Sequence, residues 1–281
     1  MSIQRLSAVA AALVLAIGAA ATALLTAGAD KPDDMILTAA DRTVLHRAEQ
    51  RLIKQCMTAA GFEYVEKPPP VESFDRRFPY VIDDVAWAKA NGYGPRPEDR
   101  APDPTGNYLK IMPADRQRAW QRALVGSNRS ISVDMPNGGR LSTADNGCQA
   151  DARRALYADL EDWYRARRTV DGLTYQVYGE VRKAPQFETS RKKWSACVRA
   201  TGYPADDPGR LVEPTDPRAT RDQAALVEAT CAVSSGFGPA TRALHTQHLT
   251  QISAEHRRTV QDLDALEHAA LPRAKAVLGN S

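Results

Sequence analysis

A mainly α-helical fold, with two disulfide-stapled helical modules, long proline-rich loops and one small β-hairpin, is what this sequence predicts. Three observations carry that expectation. Apolar residues recur at three- and four-residue steps through most of the chain, which is the helical period. Only "SISVDMPNGGRLSTA", Ser130–Ala144, alternates as paired strands do, around the turn-forming Asn137-Gly138. Finally, "QCMTAAGF" at Gln55–Phe62 returns as "ACVRATGY" at Ala196–Tyr203: a cysteine, helix formers, a glycine and an aromatic, written twice.

Taken in order, the first helix opens at Thr38, with Asp41 placed to complete a capping box, and runs to about Ala60. Leu45, Ala48, Leu52, Cys56 and Ala59 mark its apolar stripe. Gly61 stands where a left-handed C-terminal cap belongs, and Phe62 can fold back to seal it. Prolines keep Pro68 to Thr105 mostly loop, with one short helix around Asp84–Ala90. A helix near Pro113–Leu124 follows, its proline in the first turn. Beyond the hairpin the pattern predicts a long helix from Gly147 through Trp163 to about Arg168, and another over Leu173–Lys183. The helix with Trp194 and Cys197 ends at Gly202-Tyr203, and Ser190 is placed to cap its start. A proline-rich link, Pro204 to Pro217, leads to a helix containing Cys231. The last helix spans about Pro239 to Ala270, where Pro272 interrupts it. On it Leu249, Ile252, His256, Thr259, Leu263, Leu266 and Ala270 form a heptad stripe.

The first 29 residues address the chain. Arg5 precedes an uncharged run of 24 residues, Leu6 to Ala29, and Ala27-Gly28-Ala29 before Asp30 has the form of a cleavage site. The segment reads as a signal peptide, or, if retained, as an N-terminal membrane anchor over residues 6–29; either way the remainder is secreted or extracytoplasmic. No later stretch is long and apolar enough to span a bilayer. Residues 30–168 make the first helical module with the hairpin, 169–187 a connecting helical segment, and 188–281 the second module.

Four cysteines, an even number in an exported chain, favour disulfides over metal or redox chemistry. Cys56, Cys148, Cys197 and Cys231 allow three pairings. Because each copy of the repeated phrase precedes one further helix-borne cysteine, the repeat favours Cys56–Cys148 with Cys197–Cys231. Without the leader's one arginine, 37 basic residues become 36 against 34 acidic, close to neutral, and no basic stripe suggests nucleic acid. Arginines outnumber lysines 28 to 9, a bias that fits a GC-rich genome better than a phosphate-binding surface.

No side-chain set spells out a catalyst. His245 and His248 lie one helical turn apart, with His256 further along, and no cysteine or carboxylate is positioned to complete a zinc set. Glu161, Asp162, Glu180 and Glu188 lie near aromatics, but acids at helical spacing beside arginine usually form solvated ion pairs. Ser234-Ser235-Gly236 lacks the frame of a nucleophile elbow, and "SRKK" at Ser190–Lys193 lacks the motifs that accompany a Ser-Lys dyad. Trp87, Trp120, Trp163 and Trp194, one to a helix, read as core anchors rather than a sugar platform. No catalytic residue, cofactor or metal ligand is assigned.

Trp194, Cys197, Gly202 and Tyr203, then a proline-rich link and "ALVEATC" ending at Cys231, resemble a set of uncharacterised secreted actinobacterial proteins with repeated Cys-x4-Gly-Phe/Tyr modules. The first half is similar: Cys56-Met57, Gly61-Phe62, "RALVG", a hairpin and "NGCQADARRALY", although Val198 replaces the methionine that often follows the second cysteine. The resemblance implies export and disulfides and nothing about substrate. The expectation is an exported, non-enzymatic envelope protein that binds a cell-wall component or a protein partner. Its rivals are a secreted hydrolase built on carboxylates of the first module, and a protease inhibitor presenting the Pro95–Pro104 loop.

Overall fold

Thr38 opens helix α1 (Ala39–Ala59) in the computed structural model, which describes residues 37–70, 73–95, 103–127, 129–135 and 138–279. The expected leader, most of the Pro95–Pro104 loop and Asn137 of the hairpin turn lie outside the described residues. The capping box is present: Thr38 Oγ1 accepts from the Asp41 amide, and the Asp41 carboxylate accepts from the Thr38 amide, both at 3.1 Å. The buried face of α1 is turned from the expected stripe. Leu45, Ala48, Ile53 and Met57 are buried, Leu52 and Cys56 stand at its margin, and Ala59 is exposed. Ile53 and Met57 pack against the other helices, and that packing rather than spacing selects the face.

Short helices α2 (Phe74–Arg77) and α3 (Val85–Asn91) are capped by Ser73 and Asp84. Asp103 caps α4 (Pro104–Lys110), where Pro104 starts a helix that the sequence reading took for loop. Next come α5 (Ala114–Val125) and the antiparallel strands β1 (Ser130–Asp134) and β2 (Arg140–Ala144), in register Ser132↔Ser142 and Asp134↔Arg140. Val133 turns the hairpin's apolar side into the core.

Helix α6 (Cys148–Tyr157) follows, and Gly147 at its start has a backbone (φ 85°, ψ 163°) that only glycine adopts readily. A Cβ there would stand 2.4 Å from the Gly126 amide nitrogen. Gly147→Ala is therefore expected to destabilise by about 2–3 kcal/mol or more, read as a lower urea midpoint.

The expected helix from Gly147 to Arg168 is instead broken at Ala158, whose φ is 64°, and Asp159 caps α7 (Leu160–Lys183) by accepting from the Asp162 amide at 2.9 Å. No second break follows. Gly172 alone weakens a helix by only about 1 kcal/mol, and burial of Thr169, Leu173 and Val177 on either side offsets it. At 1.5 Å per residue α7 is about 36 Å long. Its first half, with Trp163 and Ala166, packs in a core shared with α1, α6 and α11; its second half, with Val177 and Val181, packs on Tyr80 and α10.

Helix α8 (Pro185–Ala200) begins five residues before Ser190. Ser190 therefore does not cap it and instead donates to the Gln186 carbonyl within it, at 2.7 Å. Then come α9 (Arg218–Ser234), α10 (Phe237–Glu255) and α11 (Arg257–Gly279). The expected single last helix is two, parted at His256, and Leu249 of the heptad stripe is exposed. Pro272 does not stop α11, because Ala270 and Ala274 are fully buried on either side of it and Arg273 Nε donates to the Leu156 carbonyl at the end of α6, at 2.6 Å. Residues from the end of the chain thus share a core with α1, and the described residues from Leu37 onward form one compact unit.

Both copies of the repeated phrase end a helix identically. Phe62 donates to the Met57 carbonyl and Gly61 to that of Thr58; Tyr203 donates to Val198 and Gly202 to Arg199. These are the paired bonds of a Schellman cap, with glycine in a positive-φ conformation. The residue after each cysteine, Met57 or Val198, is fully buried in the same cluster as the sealing aromatic, Phe62 or Tyr203. One turn inside each cap lies a disulfide: Cys56–Cys148 and Cys197–Cys231, with Cα separations of 5.5 and 5.7 Å.

Candidate binding cleft

Asp162, Arg165, Ala166 and Thr169 recur at three- and four-residue steps, so they share one face of α7. Thr259, Asp262, Leu266 and Ala269 do the same on α11, with Ala265 beside them. The two faces, with Asp134 and Met135 at the end of β1, line a cleft of about 750 Å³. Three contacts hold its walls. Glu267, almost fully buried on α11, is paired with Arg167 of α7. Tyr164 of α7 donates to the Ser142 carbonyl of the hairpin at 3.1 Å, and Val133 anchors the other strand.

The floor is apolar, made by Met135, Ala166, Ala265, Leu266 and Ala269, and the rim is acidic. Among the described residues three carboxylates and one guanidinium line the cleft, a net local charge of −2 on a chain whose formal charge is +3. Arg165 is already engaged by Glu161 and Asp162, at 2.6 and 2.8 Å. Asp134 is bonded to Arg140 across the strands at 2.7 Å, which holds its carboxyl below the usual range. Asp262 is exposed and has no ion-pair partner among the described residues. Thr169 is only 5% exposed, and it places one hydroxyl-bearing side chain in the cleft wall.

The structure separates the residues singled out in the sequence. His245 Nδ1 shares a 2.9 Å hydrogen bond with the Tyr80 hydroxyl, and burial lowers its pKa. His248 lies beside Glu180 and Lys183 in a shallow depression, while His256 ends α10. No group of three metal-capable residues exists among the described residues. Glu161, Glu180 and Glu188 are in ion pairs one turn along their own helices, with Arg165, Lys183 and Arg191. Ser235 ends α9. Trp120, Trp163 and Trp194 are buried and Trp87 is half-buried among Phe74 and Phe78, so the tryptophans are core anchors. Of the carboxylates considered, only Asp162 reaches the cleft.

Glu228 is the polar residue that sequence reasoning missed. It is 2% exposed on α9, and its carboxylate accepts from the Tyr93 hydroxyl at 2.7 Å, the Gly209 amide at 2.9 Å and the Ile82 amide at 3.2 Å. Burial raises its pKa, against those hydrogen bonds, which lower it. A charged residue on a helix face otherwise made of Ala224, Ala225, Cys231 and Ala232 was the available signal.

These features define a class: a mainly helical, double-disulfide chain with an open, acid-rimmed apolar cleft. No family model, curated protein or solved structure matches the chain. Two disulfides are consistent with an extracytoplasmic location, and no helix among the described residues is long and apolar enough to cross a membrane.

Proposed function

We propose that this protein is an exported, non-enzymatic binding protein of the cell envelope and that the cleft between α7, α11 and β1 is where its cell-wall or protein partner docks. The cleft carries the reading. A concave apolar floor with a few convergent polar groups is the usual form of a binding site. The leader-like N-terminus, the disulfides and the resemblance to secreted proteins support export.

Ala265 lines the cleft and is exposed, so Ala265→Arg leaves the core intact. Envelope fractions of the native host are passed over immobilised wild type and this variant. Retention of a partner by wild type and its loss from the variant is the expected result. Equal retention by both, or recovery of the native chain from the cytosol with free thiols, overturns the reading.

A further inference from the structure

Resting on that reading, we propose that the occupant of the cleft is a cationic amphipathic helix contributed by a protein partner. The cleft is a groove between two helices. Its walls extend from Asp162 to Thr169 on α7 and from Thr259 to Ala269 on α11, about 10 and 15 Å at 1.5 Å per residue, a length that matches about two to three turns of a docked helix. Ala166, Ala265 and Ala269 project only methyl groups, so a third backbone can approach to a normal interhelical distance. Met135 and Leu266 present adaptable apolar surface for anchors spaced one turn apart.

Charge settles the sign of the partner. Among the described residues Asp134, Asp162 and Asp262 are the acids lining the cleft and Arg165 the one cation. Asp134 and Asp162 are paired with Arg140 and Arg165, so the unpaired Asp262 carries the excess negative charge, which attracts lysine or arginine flanking the anchors and repels an acidic segment. The acidity is local, on a chain with net charge +3. Thr169 adds one hydroxyl-bearing side chain to the wall that the incoming segment meets. A glycan is the poorer fit, because no aromatic ring among the described residues lines the cleft to stack on a sugar face.

The test uses fluorescence anisotropy on the full chain with a fluorescein-labelled synthetic helix of about four turns, leucine on one face and lysine on the other. A second peptide has glutamate for lysine. Asp262→Lys and Ala269→Trp change exposed cleft positions, and their circular dichroism and melting temperatures check folding. The lysine peptide is expected to bind at least about tenfold more tightly than the glutamate peptide, to weaken about tenfold with Asp262→Lys, and to be displaced by Ala269→Trp. Equal binding of both peptides, or lysine-peptide binding indifferent to Ala269→Trp, overturns the proposal. If solubilised wall polysaccharide binds instead, and Ala269→Trp abolishes it, the helical occupant is wrong and the cleft reading stands. If neither probe depends on Ala269 or Asp262, both fall.

Discussion

Glu228→Ala is expected to destabilise the protein by about 3–5 kcal/mol, the scale for removing one member of a buried, hydrogen-bonded polar network. The substitution strands the Ile82 amide, the Gly209 amide and the Tyr93 hydroxyl, while the bond from Trp194 Nε1 to the Glu228 backbone carbonyl, at 3.2 Å, is kept. One carboxylate therefore ties three segments to α9: the chain before α3, the turn after it, and the proline-rich link between α8 and α9. Its titration gives a second, independent readout. Burial raises the folded pKa above the ordinary value of 4.5, so the native state holds the proton more tightly than the unfolded chain. The contribution is fully present below about pH 4.5 and is lost as pH rises through the folded value. Glu228→Gln, which carries no titrating proton, flattens this part of the stability-versus-pH curve and destabilises less than alanine. A wild-type curve unchanged by the glutamine substitution would show that Glu228 does not titrate differently in the two states.

Loss of the Cys56–Cys148 bond is the other large effect. Its 92-residue separation gives about 4–5 kcal/mol in the chain-entropy model, and the 34-residue separation of Cys197–Cys231 gives about 3.5–4. The Cys56→Ala/Cys148→Ala variant is expected to melt roughly 10 °C lower at this chain length. Cys197→Ala/Cys231→Ala should fall somewhat less, because the shorter loop removes less entropy from the unfolded chain. Equilibrium urea unfolding of both double variants checks the order. Midpoints unmoved by either pair of substitutions would mean that the packed helices fix the ends without help.

The two bonds were legible because each lies beside a local device. A Schellman cap is a matter of six consecutive residues, and "CMTAAGF" and "CVRATGY" spell it out, down to the buried Met57 and Val198 that meet the aromatics. The Thr38–Asp41 box and the Ser130–Ala144 hairpin are equally local. Pro104 and Pro272 were misread for a related reason. A proline forbids certain backbone hydrogen bonds, but whether it begins a helix, ends one or sits inside one depends on neighbours. Asp103 made Pro104 a start, and the burial of Ala270 and Ala274 carried α11 through Pro272.

By itself, then, the sequence determined the helical class, the hairpin, the caps and the favoured pairing of cysteines, because hydrogen bonds between residues two to five apart and the period of apolar side chains are written consecutively. Tertiary structure alone decided which face of α1 is buried, that α7 runs unbroken across both ends of the core, that Glu228 is enclosed by three distant segments, and that Asp134, Asp162 and Asp262 surround one cleft. Those outcomes rest on burial of apolar surface between elements about a hundred residues apart, and no short window of the chain contains both partners.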